Sequence, residues 1–163
     1  IVAAFLDPSE VVKHKEEYHY YPAEWRDPYL SRRRKVGFDL YALLGLTKEN
    51  KAGMQQQHAR NYRFFDAPVG LVFTIDRVMG QGSWLDYGMF MENIMISASG
   101  RDLATCAQAA FNQFHQIIAR HLNLSPEQEV VCSMALGYED KKAIENTLKT
   151  ERVPVDDFVR FYD

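Results

Sequence analysis

The chain has 163 residues, the length of one ordinary domain, and its 47% hydrophobic, 13% aromatic and 25% charged residues belong to a folded protein, not a disordered one. Its 19 basic against 22 acidic side chains leave a net charge of −3, which argues against nucleic-acid binding by bulk charge. Two cysteines, Cys106 and Cys132, exclude a disulfide scaffold and suit a reducing, cytoplasmic compartment, and the longest apolar run, 67–73, is far too short to cross a bilayer as a helix.

Residues 1–6 are apolar and read as the end of an element. Over 9–17, Ser9, an early acid and later lysines predict a short helix with Ser9 as its cap. An aromatic, proline-bearing loop comes next, with Tyr18, Tyr20, Tyr21, Pro22, Trp25, Pro28 and Tyr29; its X-Pro steps forbid one continuous helix. That loop reads either as the wall of a pocket for a planar ligand or as a lid on an apolar core. From 28 to about 44, Leu30, Val36, Phe38, Leu40, Tyr41, Leu43 and Leu44 predict a helix that becomes buried toward its end, with Gly45 as its stop. A poorly apolar helix is expected over about 48–60. After Pro68, residues 69–75 read as a buried strand. Ser83 is expected to cap a long helix that runs to about Ser99 and stops at Gly100. Leu85, Met89, Phe90, Ile94, Met95 and Ala98 make that helix apolar on several sides, so it should be central. Residues 103–106 suggest a strand stub, 109–122 an amphipathic helix and 129–136 a second buried strand ended by Gly137. The C-terminal residues are polar and mostly irregular. No repeat or low-complexity segment appears. The expected architecture is a single layered domain over 1–163, α+β or α/β.

Local motifs that carry chemistry are sparse. Gly80-Gln81-Gly82-Ser83 comes after a strand and opens a helix, with Asp102 beyond it, as in a dinucleotide-binding turn. The third glycine of that turn is replaced by Leu85, so an ordinary loop before a helix is the preferred reading. Arg32-Arg33-Arg34-Lys35 reads as a solvated helix face. The histidines at 14, 19, 58, 115 and 121 lack metal-ligand spacing, and no Cys-x-x-Cys exists. Cys106 and Cys132 read as buried small hydrophobes. No Gly-x-Ser-x-Gly elbow is present. By themselves, Lys149 and Arg152 in the polar tail read as surface charge.

Three stretches taken together resemble the FMN-dependent nitroreductase family, and the basic segment 31–46 resembles its nitrobenzoate-reductase-like subgroup. The first is Arg60-Asn61-Tyr62-Arg63-Phe64-Phe65-Asp66-Ala67-Pro68-Val69-Gly70-Leu71. The second is Gly82-Ser83-Trp84-Leu85-Asp86-Tyr87-Gly88-Met89-Phe90-Met91-Glu92-Asn93-Ile94-Met95, continuing through 103–111. The third is Val130-Val131-Cys132-Ser133-Met134-Ala135-Leu136-Gly137-Tyr138, continuing in 146–154. The resemblance implies an α+β fold, a mixed sheet flanked by helices, assembled as an intertwined homodimer about the helix that starts near Ser83. It implies FMN at the dimer interface, touched by both subunits, with NAD(P)H as electron donor. Gln108, Ala109 and Ala110 would line the flavin, the two alanines through their backbone N–H groups, and Lys149 and Arg152 would hold its phosphate. Hydride would pass from NAD(P)H through the flavin to a small electron-poor acceptor such as a nitroaromatic or quinone, in a ping-pong cycle that requires no catalytic side chain and no metal. Nucleic acid and membrane are not expected partners.

Two departures accompany the resemblance. Ala107 stands where the family usually has proline, which loosens the turn beside the flavin. The family's N-terminal Arg-x-Ser-x-Arg and Asn-x-Gln-Pro-Trp stretches have no counterpart, and the chain begins at Ile1. The expectation is a nitroreductase that lacks its N-terminal segment and binds FMN weakly or not at all by itself. A non-catalytic flavin-binding relative and a plain dimerisation module of the same fold stay open as alternatives.

Overall fold

Residues 128–137 combine β-branched Val130 and Val131 with Cys132, Met134 and Ala135 between two turn-forming segments, a pattern suited to a strand covered on both faces. In the computed structural model, which describes residues 1–162, they form the middle of a three-stranded antiparallel sheet. With β1 at Val69–Asp76, β2 at Ala104–Gln108 and β3 at Gln128–Gly137, the order is β1-β3-β2. Both outer strands run antiparallel to β3, so they run parallel to each other with β3 between them. A register shift between Phe73 and Thr74 leaves Val131 without a ladder partner. Such a bulge reverses the alternation of faces. Val130 therefore joins one apolar layer while Cys132 and Met134 join the other.

The chain forms two compact units, one of Ile1–Ala23 with Asn50–Glu139, the other of Glu24–Glu49 with the described part of Asp140–Asp163. In the first unit, α1 (Val2–Leu6), α2 (Pro8–Val11), α4 (Lys51–Ala59), α6 (His115–Leu122) and the sheet accompany α5 (Gln81–Ser99). On one side of the sheet Tyr62, Phe111, Phe114, Ile118 and Val130 are buried together, with Phe5 and Val11 against them. On the other side Phe73, Val131, Cys132 and Met134 meet Trp84, Tyr87, Met91, Ile94 and Met95 of α5. Phe114 and Met134 are fully buried; each such side chain contributes about 1.5–3 kcal/mol.

Several boundaries differ from the sequence reading for local reasons. Asp7, not Ser9, caps α2: its carboxylate accepts the Ser9 N–H at 2.8 Å and the Ser9 hydroxyl at 2.7 Å. Asn50 caps α4, accepting the Gly53 N–H at 2.9 Å. Helix α5 starts two residues before Ser83, with Gly80 at its N-cap. The segment expected as one helix over 109–122 is a 3-10 helix, Ala109–Phe114, continued by α6. Strand β1 is an edge strand with only Phe73 buried, because β3 pairs on one side of it alone. Most consequential, α5 is not buried all round: Leu85, Met89, Phe90 and Ile96 are exposed.

The second unit holds α3 (Tyr29–Leu43) and the short 3-10 helices Ile144–Thr147 and Val155–Asp157. Asp27 accepts the Ser31 N–H at 3.1 Å at the start of α3, and Gly45, at φ 66°, ends it in the left-handed region that glycine adopts freely. The expected burial toward the end of α3 is incomplete; no residue of α3 is fully buried, and Val36 and Phe38 are exposed.

Candidate cofactor site

The residues expected to line a flavin sit where β2 turns into the 3-10 helix Ala109–Phe114. Gln108 pairs with Ser133 of β3 and is only 3% exposed. Its Nε2 donates to the Asn61 carbonyl at 2.9 Å and lies 3.4 Å from Asn61 Oδ1. Its Oε1 is buried with no hydrogen-bond partner among the described residues, and so is Ser133 Oγ on the adjoining strand. A buried acceptor left unpaired costs roughly 1–3 kcal/mol, so its presence calls for a donor. Ala109 and Ala110 are half-buried and open the helical segment, which has no side-chain cap. The first amides of a helical segment have no partner within it.

Beneath this turn the packing is dense. Phe111 stacks on Phe64 with centroids 4.7 Å apart, and Tyr62 meets Phe111 and Phe114 edge-on at 5.5 and 5.1 Å. Asn112, 2% exposed, accepts the Glu17 N–H at 2.7 Å and donates to the Tyr18 carbonyl at 2.8 Å. Glu17 itself is paired with Arg77 at 2.7 Å and with His115. Sequence reasoning does not single out Asn61, Asn112 or Glu17. Asn112 carries one signal, a carboxamide between the core phenylalanines Phe111 and Phe114; the other two carry none, since their partners lie far along the chain.

The second unit carries the two expected phosphate cations. Lys149 and Arg152 are both exposed and lie just after the 3-10 helix Ile144–Thr147. Arg152 Nη1 donates to the Thr150 hydroxyl and to the carbonyls of Thr150 at 3.2 Å and Glu151 at 3.3 Å, which fixes the guanidinium close to the backbone. Lys35, from the basic run, binds Asp39 at 2.6 Å and lies 3.5 Å from Glu151. The Arg33 guanidinium stands 4.9 Å above the Trp25 ring. With all four residues exposed, the run is a solvated face of α3.

Tyr18 donates its hydroxyl to the Val131 carbonyl at 2.5 Å and meets Trp84 edge-on at 4.9 Å, so this part of the aromatic loop lies on the core. Trp25 and Tyr29 belong to the other unit. Cys132 is buried, and burial pushes its thiol up from the ordinary range; Cys106, expected to be buried, is exposed because it lies on outer strand β2. The Gly80-Ser83 stretch opens α5, but β1 and β2 are separated by β3, and a Cβ on Gly80 or Gly82 would meet nothing within 4 Å. Neither glycine is demanded by a close approach. His14 packs on Phe114 at 5.0 Å and His58 on Phe5 at 4.9 Å. Among the described residues no helix is long and apolar enough to cross a membrane, and no group of three potential metal ligands occurs.

Known proteins resemble this chain in sequence and fold. Residues 8–138 match the Nitroreductase family. A 4-nitrobenzoate reductase of Pseudomonas putida is 40% identical over 140 residues, 86% of this chain and 62% of its own length. A chloronitrobenzene nitroreductase of Comamonas testosteroni is 37% identical over 147 residues, 90% of this chain and 65% of its own length. The chain therefore spans less than two thirds of the length of these curated relatives. The crystal structure of the FMN and NADPH-dependent nitroreductase NfnB from sphigopyxis sp. strain HMH is 33% identical with a TM-score of 0.93, over 99% of this chain and 72% of that one. The shared segments carry the β2 turn and helix α5, and the chain belongs to the Nitroreductase family.

Proposed function

We propose that the chain is an FMN-dependent oxidoreductase that takes hydride from NAD(P)H and reduces nitroaromatics, quinones or similar electron-poor acceptors, as a homodimer in the cytoplasm. The observation that carries this reading is the likeness along 99% of the chain to a nitroreductase described as FMN and NADPH-dependent. The residues present fit the cofactor. The orphaned Gln108 Oε1 is an acceptor suited to a ring N–H. The Ala109 and Ala110 amides at an uncapped helical start are donors suited to ring nitrogen and carbonyl acceptors. In the second unit Lys149 and Arg152 offer a point charge and a planar fork suited to a phosphate. When bound, FMN supplies the hydride relay between nicotinamide and acceptor. The chain's own residues then bind and orient the ring, and their N–H groups stabilise negative charge on it. The exposed stripe Leu85, Met89 and Ile96 on α5 supports a second copy packing there.

The test is a visible spectrum of the protein after incubation with FMN and desalting, and then again after addition of NADPH or NADH. A retained flavin band that bleaches supports the reading, and a protein that takes up no FMN even in an equilibrium titration overturns it. A band that does not bleach identifies a non-catalytic flavin-binding relative. Replacing Lys149 and Arg152 together by alanine is expected to weaken FMN binding about tenfold or more, because each charged hydrogen bond to phosphate counts. Unchanged binding in a titration removes both residues from the phosphate site.

A further inference from the structure

We propose that Asn112 is a positioning residue for the flavin-facing turn, its buried side-chain amide holding the Ala109 and Ala110 backbone N–H groups in place by pairing with the backbone of residues 17–18. This role rests on the proposed flavin binding. The turn needs an external brace. The β2–β3 ladder ends at the Gln108–Ser133 pair. The chain then enters a 3-10 helix, whose hydrogen bonds are poorer than those of an α-helix. The sequence Gln108-Ala109-Ala110-Phe111-Asn112 places a buried carboxamide on each side of the two alanines.

Each carboxamide reaches a different segment. Gln108 Nε2 donates to the Asn61 carbonyl at 2.9 Å, tying the turn to the end of α4 and the 3-10 helix Arg60–Asp66. Asn112 Oδ1 accepts the Glu17 N–H at 2.7 Å and the Tyr18 N–H at 3.4 Å, and Asn112 Nδ2 donates to the Tyr18 carbonyl at 2.8 Å. Asn112 thus meets both the N–H and the C=O of Tyr18, as a neighbouring strand would. The segment it grips is itself anchored. The Glu17 carboxylate, 6% exposed, holds His115 and Arg77, and the Tyr18 hydroxyl donates to Val131. Arg77 in turn donates to the Pro126 carbonyl at 2.8 Å. The brace therefore runs from a rigid support to the turn. A site that required only packing would hold an apolar side chain between Phe111 and Phe114 at no desolvation cost.

Asn112→Asp tests this with a side chain of the same size. It keeps an acceptor for the Glu17 and Tyr18 amides but faces the Tyr18 carbonyl with an oxygen. Asn112→Leu keeps the volume and removes every one of these bonds, and it carries the same comparison if the aspartate variant does not fold. Two readouts are needed. In flavin-free Asn112→Leu protein, hydrogen exchange at the Glu17 amide, whose N–H Asn112 Oδ1 accepts, is expected to accelerate about tenfold or more, the loss of one buried hydrogen bond, while the core amides of β3 keep their protection. With FMN added, binding is expected to weaken by about the same factor and the bound-flavin spectrum to move toward that of free FMN. A merely structural role would lower the melting temperature and leave the spectrum of bound flavin in place. Equal FMN affinity and an unchanged bound-flavin spectrum in both variants, beside a wild-type protein that does bind flavin, overturn the positioning role alone. A wild-type protein that takes up no FMN overturns the functional reading and this inference with it.

Discussion

At Gly70 the absence of a side chain is a packing requirement. A Cβ there would stand 2.4 Å from Cε2 and 2.5 Å from Cζ of Phe64. Phe64 has little room to yield: it lies in the left-handed region at φ 54°, is succeeded by Phe65 and Asp66 in the same region, and stacks on Phe111. Gly70→Ala is therefore expected to destabilise the protein by about 1–3 kcal/mol, the range of overpacked sites. Gly37, inside α3 with nothing within 4 Å of a Cβ, provides the contrast; Gly37→Ala is expected to stabilise by about 0.5–1 kcal/mol through helix propensity and loss of unfolded-state freedom. Urea midpoints of the two variants check both signs, and equal midpoints would refute the steric account. Gly137 makes a similar point about legibility. The sequence marks it as a strand stop, but the structure shows Pro68 Cδ only 2.7 Å from where its Cβ would be. The strand end is visible in the sequence; the neighbour that requires glycine there is not.

Helix α5 shows how far an element can be read before its surroundings are known. Its extent and its C-terminal glycine emerge from composition and helical spacing. Its inner face packs Trp84, Tyr87, Met91, Ile94 and Met95 on the sheet, and the Tyr87 hydroxyl donates to the Thr74 carbonyl at 2.9 Å. Leu85, Met89 and Ile96 fall on one stripe facing away, with Leu85 69% and Ile96 60% exposed. Apolarity on several sides predicts burial all round, but in this chain only the inner face of α5 is covered. If a second copy covers the stripe, Leu85→Lys with Ile96→Lys is expected to yield a monomer by light scattering, with helical content retained because neither side chain contributes to the intrachain core. A double variant that remains dimeric would move the interface elsewhere.

For the molecule as a whole, burial raises several acids, and two phenols, Tyr18 and Tyr62, make stability fall at alkaline pH. Burial pushes Tyr18 and Tyr62 up from the ordinary 10.0 to about 12. Both folded-state values lie above the unfolded ones, so between about pH 10 and 12 the unfolded chain releases protons that the folded chain keeps. Their contribution is fully present below pH 10.0 and is lost as the pH rises to about 12. Tyr62→Phe is expected to flatten that loss. Denaturant midpoints measured across this window for the wild type and the variant provide the check, and parallel curves would show that Tyr62 titrates normally. The two side chains act from opposite parts of the first unit's core, Tyr62 among Phe111 and Phe114 and Tyr18 against Trp84. Neither position is distinguishable by sequence from the exposed Tyr20, Tyr21 or Tyr29.

What the sequence alone determined is local. Turn residues, helical spacing and β-branched runs placed α3, α5, β1, β2 and β3 within a few residues, because each depends on interactions among residues close along the chain. The ensemble of three stretches also marked the family and pointed to the β2 turn at 108–110. The tertiary structure decided which strand is central, which face of α5 is covered and which polar side chains meet. Gln108 and Asn61 are 47 positions apart, and Asn112 and Glu17 are 95 apart. Such pairs form only when the sheet order and the β1–β3 bulge have set where each backbone passes. A buried carboxamide is then retained because a hydrogen-bonding partner waits there, and that partner has no local signature.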